Sequence, residues 1–235
     1  MANKKTGKKK YSPAINDSDF KHITLKDKQL EYMKMITEKT ITVCQGPAGT
    51  SKTFTACYAA LKMLMEDKFQ RIVLVKPIEE AGEKLGFLPG TIEEKTQPYL
   101  ESYLNNMGKI AEEQTIEFLM STGKIEFKPL AYLRGVSLDY SIIICDEAQN
   151  LDMRQLMLLS TRLGHKSKMV IMGDVSQYDI KKNMLALPKF AQMISDIQDV
   201  GIFNFEKTDI VRHKILIEIT DRYEAIKEEF ENKKK

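Results

Sequence analysis

The sequence predicts an α/β fold, with a mostly parallel sheet covered by helices on both faces. Three observations predict it. A β-branched run at residues 40–45 leads into Gly46-Pro47-Ala48-Gly49-Thr50-Ser51-Lys52-Thr53, and a helical pattern starts where that loop ends. Much later, the apolar run Ile142-Ile143-Ile144-Cys145 stops at two acids, Asp146-Glu147. Between and after these segments, short apolar runs alternate with helical patterns, the order that builds a buried parallel sheet.

The elements follow in order. Residues 1–21 read as a basic, disordered arm, rich in Lys and poor in apolar residues. Residues 25–38 predict a helix with Leu30, Met33 and Ile36 on one stripe. Residues 40–45 predict a buried strand. Residues 53–66 predict a helix, with Phe54, Cys57, Leu61 and Leu64 at helical spacing. Residues 71–76 predict a strand ended by Pro77. A Gly-rich loop at 79–90 precedes a polar, mostly helical stretch at 91–114, with a break expected near Pro98. Residues 79–120 are therefore expected to form an insertion or lid over the sheet. Further strands are expected at 125–128, 141–145, 168–172 and 202–205, with helices at 153–162, 187–196 and 214–231. The last carries Leu216, Ile219, Tyr223, Ile226 and Phe230 as a stripe, too short for a coiled-coil seam and better read as packing on its own core. The expected organisation is one domain at 22–232, flanked by the arm and a basic tail at 233–235.

Composition sets limits. The 235 residues suffice for one large α/β domain, and 43% apolar and 29% charged residues are ordinary for a globular chain. No stretch approaches the ~18 consecutive apolar residues a membrane helix needs. The basic start has no apolar segment behind it, so it does not read as a secretory signal. Cys44, Cys57 and Cys145 show no paired spacing, and Cys44 and Cys145 read as reduced core thiols. Three scattered His residues argue against a zinc site. The expected compartment is the cytoplasm. The net charge of +3 is misleading, because five Lys lie in the first ten residues and three more end the chain, leaving the body at −5. Attraction to nucleic acid would therefore rest on the ends or on a local patch.

The chemistry lies in the two motifs. Gly46 and Gly49 let backbone N–H groups turn inward around an anion, and the following helix adds its N-terminal partial charge. In this reading Gly46, Pro47, Ala48, Gly49, Thr50 and Ser51 cradle phosphates. Lys52 reaches the β- and γ-phosphates, and Thr53 places its hydroxyl on Mg²⁺. The strict pattern GxxxxGK[ST] has Gly where this chain has Ser51, and Ser lacks glycine's freedom at positive φ, so weakened affinity or turnover is expected if that geometry is needed. A plain strand–turn–helix corner is the alternative reading. Asp146 would hold Mg²⁺, and Glu147 would orient and deprotonate the attacking water. A strand-ending acidic turn is the alternative there. Gly173-Asp174 ends a later strand and Gln177 follows, which reads equally as a turn or as a γ-phosphate sensor. Arg212 suits transferred-phosphate charge, although a lone Arg before a helix is also an ordinary surface residue.

These residues resemble the PhoH-like family of P-loop ATPases, over about residues 24–225. The resemblance includes Glu80-Ala81-Gly82-Glu83-Lys84-Leu85-Gly86-Phe87-Leu88-Pro89-Gly90 and Pro129-Leu130-Ala131-Tyr132-Leu133-Arg134-Gly135. It continues through Asp146-Glu147-Ala148-Gln149-Asn150, Ser167-Lys168-Met169-Val170, Gly173-Asp174 to Gln177, and Asp209-Ile210-Val211-Arg212-His213. The short form with a basic arm resembles the version carried by many bacteriophages. The resemblance implies a three-layer RecA-like core, similar to the first motor domain of superfamily-one helicases, using ATP and Mg²⁺. It implies that Gln29 contacts adenine, Gln177 the γ-phosphate, and that Arg212 acts as an arginine finger. With no room for a second motor domain, that finger would serve a neighbouring subunit of a homo-oligomeric ring, such as a hexamer. The family is linked to phosphate starvation and, in fused members, to RNA unwinding and cleavage. The expected function is thus Mg²⁺-dependent ATP hydrolysis coupled to RNA or single-stranded DNA. A weakly hydrolysing, nucleotide-gated assembly module and a small-molecule phosphotransferase are the alternatives. Two departures from the family pattern are Ser51 for Gly and Lys76 for the usual Arg.

Overall fold

Six short runs of aliphatic and β-branched residues form one sheet. They are β1 (Ile41–Gln45), β2 (Arg71–Val75), β3 (Ile125–Phe127), β4 (Ser141–Cys145), β5 (Lys168–Gly173) and β6 (Val200–Asn204). The structure is a computed structural model that describes residues 14–77, 92–174 and 186–211, with 215, 217–219, 222 and 226. Strand order is β3-β2-β4-β5-β1-β6, and every pair is parallel. Successive residues of a strand face opposite sides, and the core divides accordingly. Cys44, Ile72, Leu74, Ile142, Ile144, Val170 and Met172 join one apolar cluster. Val43, Val73, Val75, Ile143, Cys145, Met169 and Ile171 join the other. Both faces of the sheet are covered, which is why its strands read as continuous apolar runs rather than alternating ones.

The first face is covered by α1 (Asp17–Lys21), α2 (Asp27–Glu38), α3 (Lys52–Met65), α4 (Ile92–Met107) and α5 (Glu113–Ser121). The second is covered by α6 (Met153–Ser160) and α7 (Ala186–Ile194). This gives the three-layer, RecA-like P-loop architecture expected from the sequence.

Several elements differ from expectation. The expected arm includes a short ordered helix: Asn16 caps α1 through a capping box, and Phe20 is buried edge-to-face on Tyr58 at 5.1 Å. In α2 the buried face is Gln29, Tyr32 and Ile36, while Leu30 is 49% exposed. The face is rotated because Tyr32, not Leu30, fills the space against Phe203 and Phe205. Helix α4 runs unbroken through Pro98, its seventh residue, so the expected break is not there. Residues 113–121 add a helix that the sequence pattern did not single out.

The rest of the expected arm, the expected Gly-rich loop at 79–90 and the tail at 233–235 lie outside the described residues. In the last helical segment, Ile219 and Ile226 are more than half exposed. No helix among the described residues is long and apolar enough to cross a membrane. Cys44, Cys57 and Cys145 are free and buried, and burial pushes the Cys44 thiol up to about 12.

Candidate functional site

Parallel strands place all their C-terminal ends on one edge of the sheet, and the Gly46–Thr53 loop and the Asp146-Glu147 pair meet there. Gln45 of β1 lies opposite Gly173 of β5, and β5 separates β1 from β4. The chain leaves β1 through Gly46, whose N–H donates to the Gly173 carbonyl at 3.3 Å. A Cβ on Gly46 would lie 2.6 Å from Phe205 Cβ and 2.8 Å from its carbonyl oxygen, so only glycine fits this exit. Gly49 has φ 87° and accepts the Val211 N–H at 3.0 Å.

Ser51 follows at φ 65°, ψ 28°. It adopts the left-handed conformation that the glycine of the strict pattern would take. Its Cβ does not prevent the loop from closing. Helix α3 begins at Lys52 with no side-chain cap, so the amides of its first turn face the cavity.

Lys52 is 8% exposed. Its Nζ donates to the carbonyls of Gly46 at 2.7 Å and Pro47 at 2.9 Å, so the loop curls around the ammonium. Thr50 Oγ1 donates to the same Pro47 carbonyl at 3.0 Å. Ala48 lines the cavity beside the loop.

Thr53 Oγ1 donates to Asp146 Oδ2 at 2.8 Å, joining the two motifs across the end of β5. Burial raises the pKa of Asp146, and the neighbouring Glu147 charge raises it further. The Thr53 hydroxyl, the Glu147 N–H and Lys76 act in the opposite direction. A threonine hydroxyl and one buried carboxylate are hard oxygen donors. They fit Mg²⁺, which keeps several waters and takes the rest of its shell from phosphate. Among the described residues no group of three or more His, Cys, Asp or Glu could hold a metal.

Glu147 is also left-handed, at φ 57°. Its N–H donates to Asp146 Oδ1 at 3.0 Å, and its Oε2 accepts from Gln149 Nε2 at 2.6 Å. Asp146, Glu147 and the first turn of α3 line a cavity of about 510 Å³, within the range of small-molecule sites. Gln29 is at the other end, where its Oε1 accepts the Lys26 N–H at 2.8 Å. Gln177 and Arg212 lie outside the described residues; Asp174 and Val211, which precede them, both line the cavity.

Sequence reasoning missed four residues of this site. Asn106 and Lys109, at and just beyond the end of α4, form one wall of the cavity, and His22 Nε2 lies 3.2 Å from the Lys109 carbonyl. Tyr103, on the same helix, is fully buried. Its hydroxyl donates to the Val75 carbonyl at 2.7 Å and accepts the Asp146 N–H at 2.9 Å. The adjacent Ser102 receives Lys76 Nζ at 3.2 Å. Helix α4 is therefore built into the core beneath Asp146. Its polar sequence carried no signal of this beyond single aromatic residues. Gln149, the fourth, lay within the quoted Asp146–Asn150 string, but nothing in the string gave it a role.

Comparison with known proteins agrees with the fold and with the family resemblance. The family model described as PhoH-like protein matches residues 22–224. A PhoH-like protein of Synechocystis is 40% identical over 198 residues, covering 84% of this chain and 60% of that one. One of Mycobacterium tuberculosis is 41% identical over 201 residues, covering 85% and 57%. The chain thus spans about 60% of the length of these curated relatives. Among solved structures, the large terminase of a thermophilic bacteriophage superposes with a TM-score of 0.51 at 10% identity, covering 86% of this chain and 50% of that one. At that identity the likeness concerns the fold alone. With the family model covering most of the chain and two relatives at this identity, the chain belongs to the PhoH-like family and has the fold of a P-loop nucleoside triphosphatase.

Proposed function

We propose that this protein is a Mg²⁺-dependent ATPase, coupled to RNA or single-stranded DNA and acting as a homo-oligomer in the cytoplasm. The observation that carries the hydrolytic part is the contact of Thr53 with Asp146 beside the Lys52 loop. It brings a phosphate cradle, a metal-holding pair and a base candidate to one cavity. In this reading Lys52 leaves its loop carbonyls for the β- and γ-phosphates. Thr53 and Asp146 hold Mg²⁺, which neutralises phosphate charge, and Glu147 takes the proton of the attacking water. Gln29 contacts the base, Gln177 senses the γ-phosphate, and Arg212 completes the site of a neighbouring subunit. The reading takes residues 22–232 as one domain. The coupling to a polymer and the ring rest on the family resemblance, with the basic chain ends as the electrostatic support.

The test is phosphate release from ATP and Mg²⁺, with and without single-stranded RNA or DNA. Lys52→Ala and Glu147→Gln are each expected to abolish most turnover. Only Lys52→Ala is expected to weaken nucleotide binding strongly. Turnover unchanged in both variants would reject the assignment. Turnover indifferent to either polymer would reject the coupling.

A further inference from the structure

Glu147 is held by a residue two positions further along the chain. We infer that Gln149 is a positioning residue: it fixes the Glu147 carboxylate for its work as base and ties it to the end of β5. The inference rests on the hydrolytic reading above.

Gln149 lies in the short 3₁₀ turn Ala148–Asn150 and is 5% exposed. Both ends of its carboxamide are committed. Its Oε1 accepts the Asp174 N–H at 3.0 Å, and its Nε2 donates to Glu147 Oε2 at 2.6 Å. This orientation is set by chemistry. A backbone N–H can only donate, so the oxygen faces Asp174, and the NH₂ then faces the carboxylate, which can only accept. The Gln149 amide thereby selects one rotamer of Glu147 among the several its side chain could adopt.

Gly173 makes the bridge possible. A Cβ there would stand 2.7 Å from Gln149 Oε1 and 2.8 Å from its N. The strand end that sits between the two nucleotide motifs is therefore shaped around this amide.

The experiment compares Gln149→Glu and Gln149→Leu with wild type and Glu147→Gln, reading kcat, KM for ATP, and ADP affinity. Gln149→Glu keeps an acceptor for the Asp174 N–H and so preserves the structural tie, but it removes the donor to Glu147. The expected result is a fall in kcat of roughly ten- to a hundred-fold in both variants, with ADP affinity within about three-fold of wild type. In the Glu147→Gln background, Gln149→Leu is expected to lower kcat no further, because the group it positions is gone. Near-wild-type kcat for Gln149→Glu beside an inactive Glu147→Gln would overturn the inference and leave the ATPase reading intact. A rise in kcat would also overturn it, making Gln149 a restraint on the base. Wild-type protein with no turnover at all would overturn both.

Discussion

Ser51→Gly restores the residue of the strict phosphate-loop pattern, and the geometry sets what that does. Ser51 stands at φ 65°, ψ 28°, with no hydrogen bond from its side chain to the helix it precedes. A residue with a Cβ gives up about 1–2 kcal/mol in the left-handed region. Glycine removes that strain, but its greater freedom in the unfolded chain costs about 0.5–1 kcal/mol. The difference is a stabilisation of roughly 0–1.5 kcal/mol, which for a domain of this size raises Tm by about 0–5 °C. The loop already has the glycine-like conformation, so kcat is expected to stay within about three-fold of wild type. Thermal unfolding by circular dichroism and steady-state phosphate release give the two readings. A lowered Tm, or a gain in kcat of an order of magnitude, would refute the reasoning, since either would mean that the Cβ distorts the loop.

Other substitutions test neighbouring parts. Gly46→Ala drives a methyl into Phe205 at 2.6 Å, where the obstacle is partly backbone; it is expected to cost about 2 kcal/mol or more in denaturant unfolding and to weaken ADP binding with it. Tyr103→Phe deletes the hydroxyl that accepts the Asp146 N–H. It is expected to cost about 1–2 kcal/mol of stability and to raise the Mg²⁺ concentration needed for half-maximal turnover; an unchanged Mg²⁺ dependence would separate Tyr103 from the metal pair. Asp146→Asn removes a buried charge whose pKa is raised chiefly by that burial. It is expected to raise Tm by a few degrees while abolishing Mg²⁺-dependent hydrolysis, the trade-off of a site that holds a charge in readiness.

The sequence made the sheet legible because its strands are buried on both faces and stand out as unbroken aliphatic runs, as at Ile142–Cys145. It also made the two motifs legible, because phosphate cradles and metal pairs need particular side chains at fixed spacing. What it hid was decided by packing across long separations. Leu30 fits a helical stripe as well as Tyr32 does, and only the aromatic contacts with Phe203 and Phe205 decide which faces inward. Tyr103 sits in a polar helix, and its burial between β2 and β4 depends on a neighbour 43 residues away. The left-handed backbone of Ser51 and Glu147 was equally hidden, because local preference argues against both and the surrounding structure overrides it.

Those two residues show what holds the site. Each stands where a strand gives way to the site, Ser51 just before α3 and Glu147 just after Asp146, and each is a non-glycine residue at positive φ. Strands β1 and β4 lie two spacings apart, roughly 10 Å, with β5 between them. For Thr53 to meet Asp146 at 2.8 Å, the chain has to turn sharply over the end of β5 instead of running on outward. Strained backbone at these turns persists only if the rest of the fold over-determines it. Here it does, since every residue of β4 is buried and β1 is hydrogen-bonded on both sides. The sheet thus bears the strain of holding Thr53 against Asp146, the pair proposed to hold the metal. On the proposed reading, what remains for an incoming phosphate is a local exchange at Lys52, whose ammonium would trade two loop carbonyls for phosphate oxygens. Such an exchange keeps the ammonium hydrogen-bonded throughout and leaves little ordering to be done on binding, so more of the phosphate interaction appears as affinity.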